Sequence, residues 1–132
     1  MGAAPVVPYG DAMARKLVVK VTAGVEDAER CNQAFTVAAA AAAAGAEVSL
    51  WLTGEAAWFG VPGRAEEFSL PLATPLADLL GVVLAEGSVT VCTQCAARRG
   101  IGADDVLPGV VIKGAAVFAE EILAEGVQAL VY

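Results

Sequence analysis

The sequence predicts an α/β fold, a three-layer sandwich in which helices cover both faces of a five-stranded, mostly parallel sheet. Three observations predict it. Five short runs rich in Val, Ile and Leu alternate with helical patterns along the chain. Those runs are largely apolar rather than strictly alternating, as strands buried on both faces are. At 132 residues the chain is long enough to bury one core without covalent staples, and no repeat, linker or composition shift divides it.

The chain opens with MGAAPVVPYGDAMARK, which carries Pro and Gly and lacks the charged start and apolar stretch of a secretory signal. Residues 1–15 are therefore expected to be a flexible leader, and residues 16–132 the single domain. KLVVKV, from Lys16, predicts the first strand, ended by Thr22-Ala23-Gly24. Glu26, Asp27 and Glu29 then place negative charge in the first turn of a long helix, where it suits the helix dipole. That helix runs through QAFTVAAAAAAA and stops at Gly45, a C-terminal cap. Cys31 shares a helical face with Ala34, Phe35 and Ala38, which makes it a core residue. EVSLWL, from Glu47, predicts the second strand, closed by Thr53-Gly54.

Residues 54–72 show no clear period and carry Trp58 and Phe59 before Gly60. They read as an irregular segment, either a lid or interface loop or a connection in which Trp58 covers core. Pro75 suits the first position of a helix whose Leu76, Leu79, Leu80 and Val83 fall on one face, ending at Gly87. Residues 88–91 predict a third strand that runs straight into Cys92, followed by a short helix over 96–99 that ends near Gly100. Residues 109–113, 115–124 and 127–132 predict a strand, a helix and a last strand.

Composition narrows the function. Fifteen acidic residues against eight basic ones give a net charge of −7, and the largest basic cluster is Arg98-Arg99. This is not the footprint of a nucleic-acid binder. No apolar run reaches the 18 or so residues of a membrane span, so a cytoplasmic protein without membrane contact is expected. Charged residues are only 17% of the chain, so part of its surface is expected to be covered in an oligomer. Three cysteines, an odd number, argue against a disulfide framework. In a reducing compartment closely spaced cysteines point to catalysis or metal. Histidine is absent, which removes Cys-His and Ser-His-Asp chemistry and every imidazole metal site.

Chemistry concentrates in VTVCTQCAARRGI. Open parallel sheets bind ligands beyond the carboxyl ends of their strands. Here those ends are Thr22-Ala23-Gly24, Thr53-Gly54 and Cys92. Thr22, Gly24, Thr53, Gly54 and Trp58 are accordingly expected to line a pocket. A metal site lacks its second half, because the remaining thiol, Cys31, sits inside a helix pattern; no metal is expected. In the redox reading a helix start lowers the pKa of Cys92, and Cys95 resolves it, although the aromatic-CGPC context of thioredoxins is missing. In the sulfur-acceptor reading, helix amides and Arg98 or Arg99 stabilise an anionic persulfide on Cys92. The alternatives are a solvated helix end for the arginines and a small buried hydrophobe for Cys92.

Cys92, followed six residues later by Arg98-Arg99-Gly100-Ile101, resembles the signature of the DsrE/DsrF-like sulfur-relay family. The acidic start and Ala-rich body of the first helix, GAEVSLWLTGE, and IKGAAVFAEEIL extend the resemblance over residues 16–132. It implies the DsrE-like fold, a strand-terminal cysteine that receives sulfur as a persulfide, and assembly as a trimer or hexamer. Cys92 matches that cysteine by position. Thr93-Gln94-Cys95 departs from the small apolar stretch found there in sulfur-relay subunits, adding a thiol that can resolve a persulfide or turn the site to disulfide chemistry.

Three functions follow. The first is a sulfur carrier or sulfurtransferase, with Cys92 as acceptor and Cys95 as resolving thiol. It needs no cofactor, and its partners are donor and acceptor proteins or small persulfides. The second is a CxxC thiol–disulfide switch or reductase. The third is a non-catalytic oligomeric scaffold that binds a small ligand near Thr53-Gly54 and Trp58.

Overall fold

The computed structural model describes residues 15–132, so the leader expected over residues 1–15 lies, but for its last residue, outside the described residues. The five apolar runs form β1 (Lys16–Val21), β2 (Glu47–Leu52), β3 (Ser88–Cys92), β4 (Val110–Lys113) and β5 (Gln128–Val131). Between them lie α1 (Ala28–Ala43), α2 (Arg64–Glu67), α3 (Leu76–Glu86), α4 (Thr93–Arg98) and α5 (Ala115–Leu123). The sheet order is β4-β3-β2-β1-β5, and every neighbouring pair is parallel rather than most of them.

The period of two along each strand sorts side chains onto two unlike faces. Val19, Val21, Leu50, Leu52, Val89 and Val91 point into the main core, against α1 and α3. Alanines make this layer thin: Ala34, Ala38, Ala39 and Ala42 are buried, and small side chains let α1 lie close to sheet and α3. α1 ends as expected, with the Gly45 amide donating to the Ala42 carbonyl and the Ala46 amide to that of Ala41. The larger volume comes from Phe35, Phe59 and Phe68, which meet edge to face at 5.9 and 5.7 Å.

The second face carries Lys16, Lys20, Ser49, Trp51, Thr90 and Cys92, and α5 covers it. α5 joins β4 at one edge to β5 at the other, so it crosses the sheet. None of its residues is buried. Two side chains hold it. Phe118 packs edge-on against Trp51 at 5.2 Å. The Glu121 carboxylate accepts hydrogen bonds from the Ser49 hydroxyl at 2.9 Å and the Trp51 indole at 2.7 Å, and pairs with the Lys16 ammonium at 3.0 Å. Burial works to raise the pKa of Glu121, but these donors outweigh it and hold the carboxyl below its usual range.

Three sequence expectations are corrected locally. Residues 54–72 are irregular only in part: Gly54–Gly60 winds as a 3₁₀ segment and α2 follows after a turn, because Ala56, Ala57, Phe59, Gly60 and Ala65 are all buried, while residues 68–72 form no helix or strand. Pro75 stands outside its helix as the cap, with ψ 133°, and its carbonyl receives the amides of Asp78 and Leu79. The helix expected over 96–99 starts three residues earlier, directly after Cys92.

Cys31 is core, with 0% exposure. Burial, reinforced by the charge of Glu26, pushes its thiol up to about 12. Above pH 9 the unfolded chain loses that proton and the folded chain keeps it, so stability should fall as pH rises, by about 1.4 kcal/mol per unit at most. Denaturant melts between pH 9 and 11 should show a steeper decline for wild type than for Cys31→Ala.

Candidate functional site

β3 passes into α4 without an intervening loop, so Cys92 is at once the last residue of the strand and the cap of the helix, with φ −65° and ψ 130°. The half-buried thiol points to the second face of the sheet. Burial would raise its pKa, but the neighbouring amides of Cys95 and Gln94, the Cys95 thiol and the positive charge of Lys20 outweigh it. The thiol is therefore held below its ordinary value, the condition for a nucleophilic thiolate near neutral pH.

Cys95 is half-buried and turned toward the 3₁₀ segment that follows β2, where the Gly54 amide donates to its sulfur at 3.2 Å. One turn further on, Arg99 secures the same place. Its Nε and Nη2 bond one Glu55 oxygen at 2.9 and 2.7 Å, and its Nη1 bonds the Cys95 carbonyl at 3.0 Å. Residues 54 and 55 are thus gripped by α4 at positions 95 and 99. The Arg99 side chain is only 19% exposed, and its charge is matched by Glu55. Arg98 is exposed in the last turn of α4. Arg99, expected to stabilise an anion, is thus engaged by Glu55, and Arg98 is solvated.

Gly100 and Ile101 have a conformational explanation. Gly100 sits at φ +68°, its amide returns to the Ala97 carbonyl and that of Ile101 to Ala96. This is the same ending as that of α1, completed by the burial of Ile101 and Ala96.

The expected pocket residues divide. Trp58 lines a cavity of about 240 Å³ with Val25, Glu55, Phe59, Glu67 and Phe68, and the Arg64 guanidinium stacks over its ring at 4.1 Å. Thr22, Gly24, Thr53 and Gly54 instead brace the strand ends. The Thr22 hydroxyl donates to the Tyr132 carbonyl at 2.6 Å and that of Thr53 to the Val21 carbonyl at 2.9 Å. Gly24 lies where a Cβ would come within 2.9 Å of the Glu55 carbonyl oxygen. Among the described residues no three His, Cys, Asp or Glu side chains gather as a metal site would require.

Sequence reasoning singled out neither Lys20, on the same sheet face as Cys92, nor Glu55, the partner of Arg99. Lys20 left a signal: Lys16 and Lys20 are separated by four residues in a strand, an even spacing that puts both on one face. Glu55 left none, since its partner lies 44 residues away.

The model of the DsrE/DsrF-like family matches residues 15–131. Among solved structures, the YchN protein of E. coli superposes with a TM-score of 0.75 at 20% identity, covering 89% of this chain and 99% of that one. The protein of unknown function MTH1491 from Methanobacterium thermoautotrophicum gives 0.63 at 10% identity, with 89% and 99% covered. BT1422 from Bacteroides thetaiotaomicron gives 0.57 at 15% identity, with 89% and 95% covered. No curated protein sequence matches. At these identities the structures speak for the fold, a five-stranded parallel sheet between helices. The family match spans all of that sheet, and on it the chain belongs to the DsrE/DsrF-like family.

Proposed function

We propose that this protein is a cytoplasmic sulfur carrier with sulfurtransferase activity, in which Cys92 receives sulfane sulfur as a persulfide. The observation that carries the reading is the place of the half-buried Cys92 thiol, at the carboxyl end of β3 and the start of α4, where the neighbouring amides help to hold its pKa below the ordinary value. The Cys92 thiolate attacks the outer sulfur of a donor persulfide. A new S–S bond forms on Cys92 as the donor's S–S bond breaks, and the donor leaves as a thiolate with the bonding electrons. An acceptor thiolate takes the sulfur off by the same exchange. Alternatively the Cys95 thiolate attacks the inner sulfur, forming the Cys92–Cys95 disulfide and releasing hydrosulfide; an external thiol reductant restores the dithiol. The donors and acceptors are proteins or small persulfides.

The test is the intact mass of reduced protein after exposure to a persulfide donor. A gain of one sulfur atom, reversed by a thiol reductant, supports the carrier; no gain sinks it. The placing of both free, half-buried thiols at the start of α4, three positions apart, favours a second reading, a CxxC thiol–disulfide switch. That reading expects loss of two hydrogens without sulfur.

We further propose a homo-oligomer of three or six copies. β5 is exposed along its length, and Leu123, Val131, Val111, Val117 and Leu130 stand open at 82, 63, 43, 40 and 40%. Native mass spectrometry should find three or six chains; a monomer at micromolar concentration overturns this.

A further inference from the structure

We infer that Lys20, not Arg98 or Arg99, is the residue that poises the Cys92 sulfur as an anion, and that Phe118 of α5 positions its ammonium for the task. The inference rests on the carrier reading of Cys92 only for its biological use; the shared sheet face and the placing of the Lys20 ammonium are geometric.

Lys20 is a charged residue in a strand whose neighbours Val18, Val19 and Val21 are buried. Register places it beside Trp51, and Trp51 beside Thr90, so Lys20, Trp51 and Thr90 form one row across the second face. Cys92 lies one row further along β3 on that same face. The Lys20 ammonium sits over the Phe118 ring, 5.0 Å from its centroid, and the ring is itself fixed against Trp51 at 5.2 Å. An ammonium held on an aromatic face keeps its charge without a carboxylate to cancel it.

The other groups on this face support the assignment. β1 also brings Lys16 and α5 brings Glu121, but those two bond each other at 3.0 Å. β4 brings Lys113, the ladder partner of Cys92, which is exposed. β2 contributes Ser49 and Trp51, both engaged by Glu121 and uncharged. α4 contributes Cys95, and its Arg99 pairs with Glu55. Lys20 is thus the half-buried cation on this face that no carboxylate matches among the described ion pairs. A thiolate gains more from such a charge than from an exposed, screened one.

The experiment follows the rate at which iodoacetamide modifies Cys92 in the full chain from pH 5 to 10, read by mass spectrometry of the Cys92 peptide. Lys20→Met keeps the length and apolar stem of the side chain. It should move the profile to higher pH and slow modification at pH 7 by about threefold or more, and Lys20→Arg should restore it. In wild type, added salt should move the profile in the same direction as Lys20→Met, a result that needs no variant to fold. A Lys20→Met profile that superposes on wild type, an Arg variant that behaves as Met does, or a salt-independent wild-type profile overturns the inference. These outcomes are separate from sulfur uptake: a wild-type protein that gains no sulfur removes the carrier reading and leaves the alkylation profile to decide Lys20.

Discussion

Cys92→Ser should gain no sulfur from a persulfide donor, while Cys95→Ser should gain one atom and hold it longer than wild type. A serine hydroxyl is not a nucleophile near neutral pH without a general base, and the chain contains no histidine to serve as one. Serine is close to cysteine in size and Cys92 is only half-buried, so the fold should survive and the loss should be complete rather than partial. At position 95 the hydroxyl can still accept the Gly54 amide that now bonds the sulfur. What disappears there is the thiolate that would attack the Cys92 persulfide and expel hydrosulfide. Intact-mass time courses of the two variants beside wild type separate the readings. Uptake that survives Cys95→Ser and vanishes in Cys92→Ser is the carrier pattern. Loss of two hydrogens that needs both thiols is the switch. Uptake retained in Cys92→Ser would remove this residue from the chemistry.

Gly54→Ala should destabilise the fold by about 2–5 kcal/mol and disturb Cys95 as well. Residue 54 has φ +54°, which costs a non-glycine residue about 1–2 kcal/mol. A Cβ there would also stand 2.6 Å from the Thr22 carbonyl oxygen, which is backbone and cannot swing aside. Relieving that clash adds roughly 1–3 kcal/mol, as other overpacked sites do. The shift needed would draw the Gly54 amide away from Cys95 and strain the Glu55–Arg99 pair next to it. Thermal and urea denaturation measure the first effect. The second should appear as a changed rate of Cys95 alkylation under native conditions. Unaltered stability would mean that the turn after β2 relaxes more freely than its burial implies.

Much of the fold was legible because the strands are apolar runs of four to six residues separated by recognisable stops. KLVVKV and EVSLWL give both ends of β1 and β2, since Thr22-Ala23-Gly24 and Thr53-Gly54 break the pattern at once. The segment after β2 was not legible. A 3₁₀ segment has no amphipathic period to detect, and GEAAWFG is ordered by the burial of Ala56, Ala57 and Phe59 against strands distant in sequence. At the candidate site, the place of Cys92 follows from one local fact, that a strand ends where a helix starts. The cation does not. Arg98 and Arg99 are near Cys92 along the chain, while Lys20 lies on a strand two places across the sheet. Sequence proximity favoured the arginines, whereas only the sheet's register shows that Lys20 shares the thiol's face.

The ending of α4 bears on how relatives of this chain should be recognised. Gly100 and Ile101 close the helix by backbone geometry and burial, and neither touches the thiols among the described hydrogen bonds. Selection for a well-terminated helix would preserve a Gly-Ile pair even in a descendant that had lost Cys92. A search pattern weighted toward Arg-Arg-Gly-Ile would therefore gather proteins with this architecture regardless of their reactivity. On the inference drawn for Lys20, sorting such a collection by chemistry would call for the cysteine together with a lysine at the position of Lys20, two residues 72 positions apart that no contiguous motif can contain.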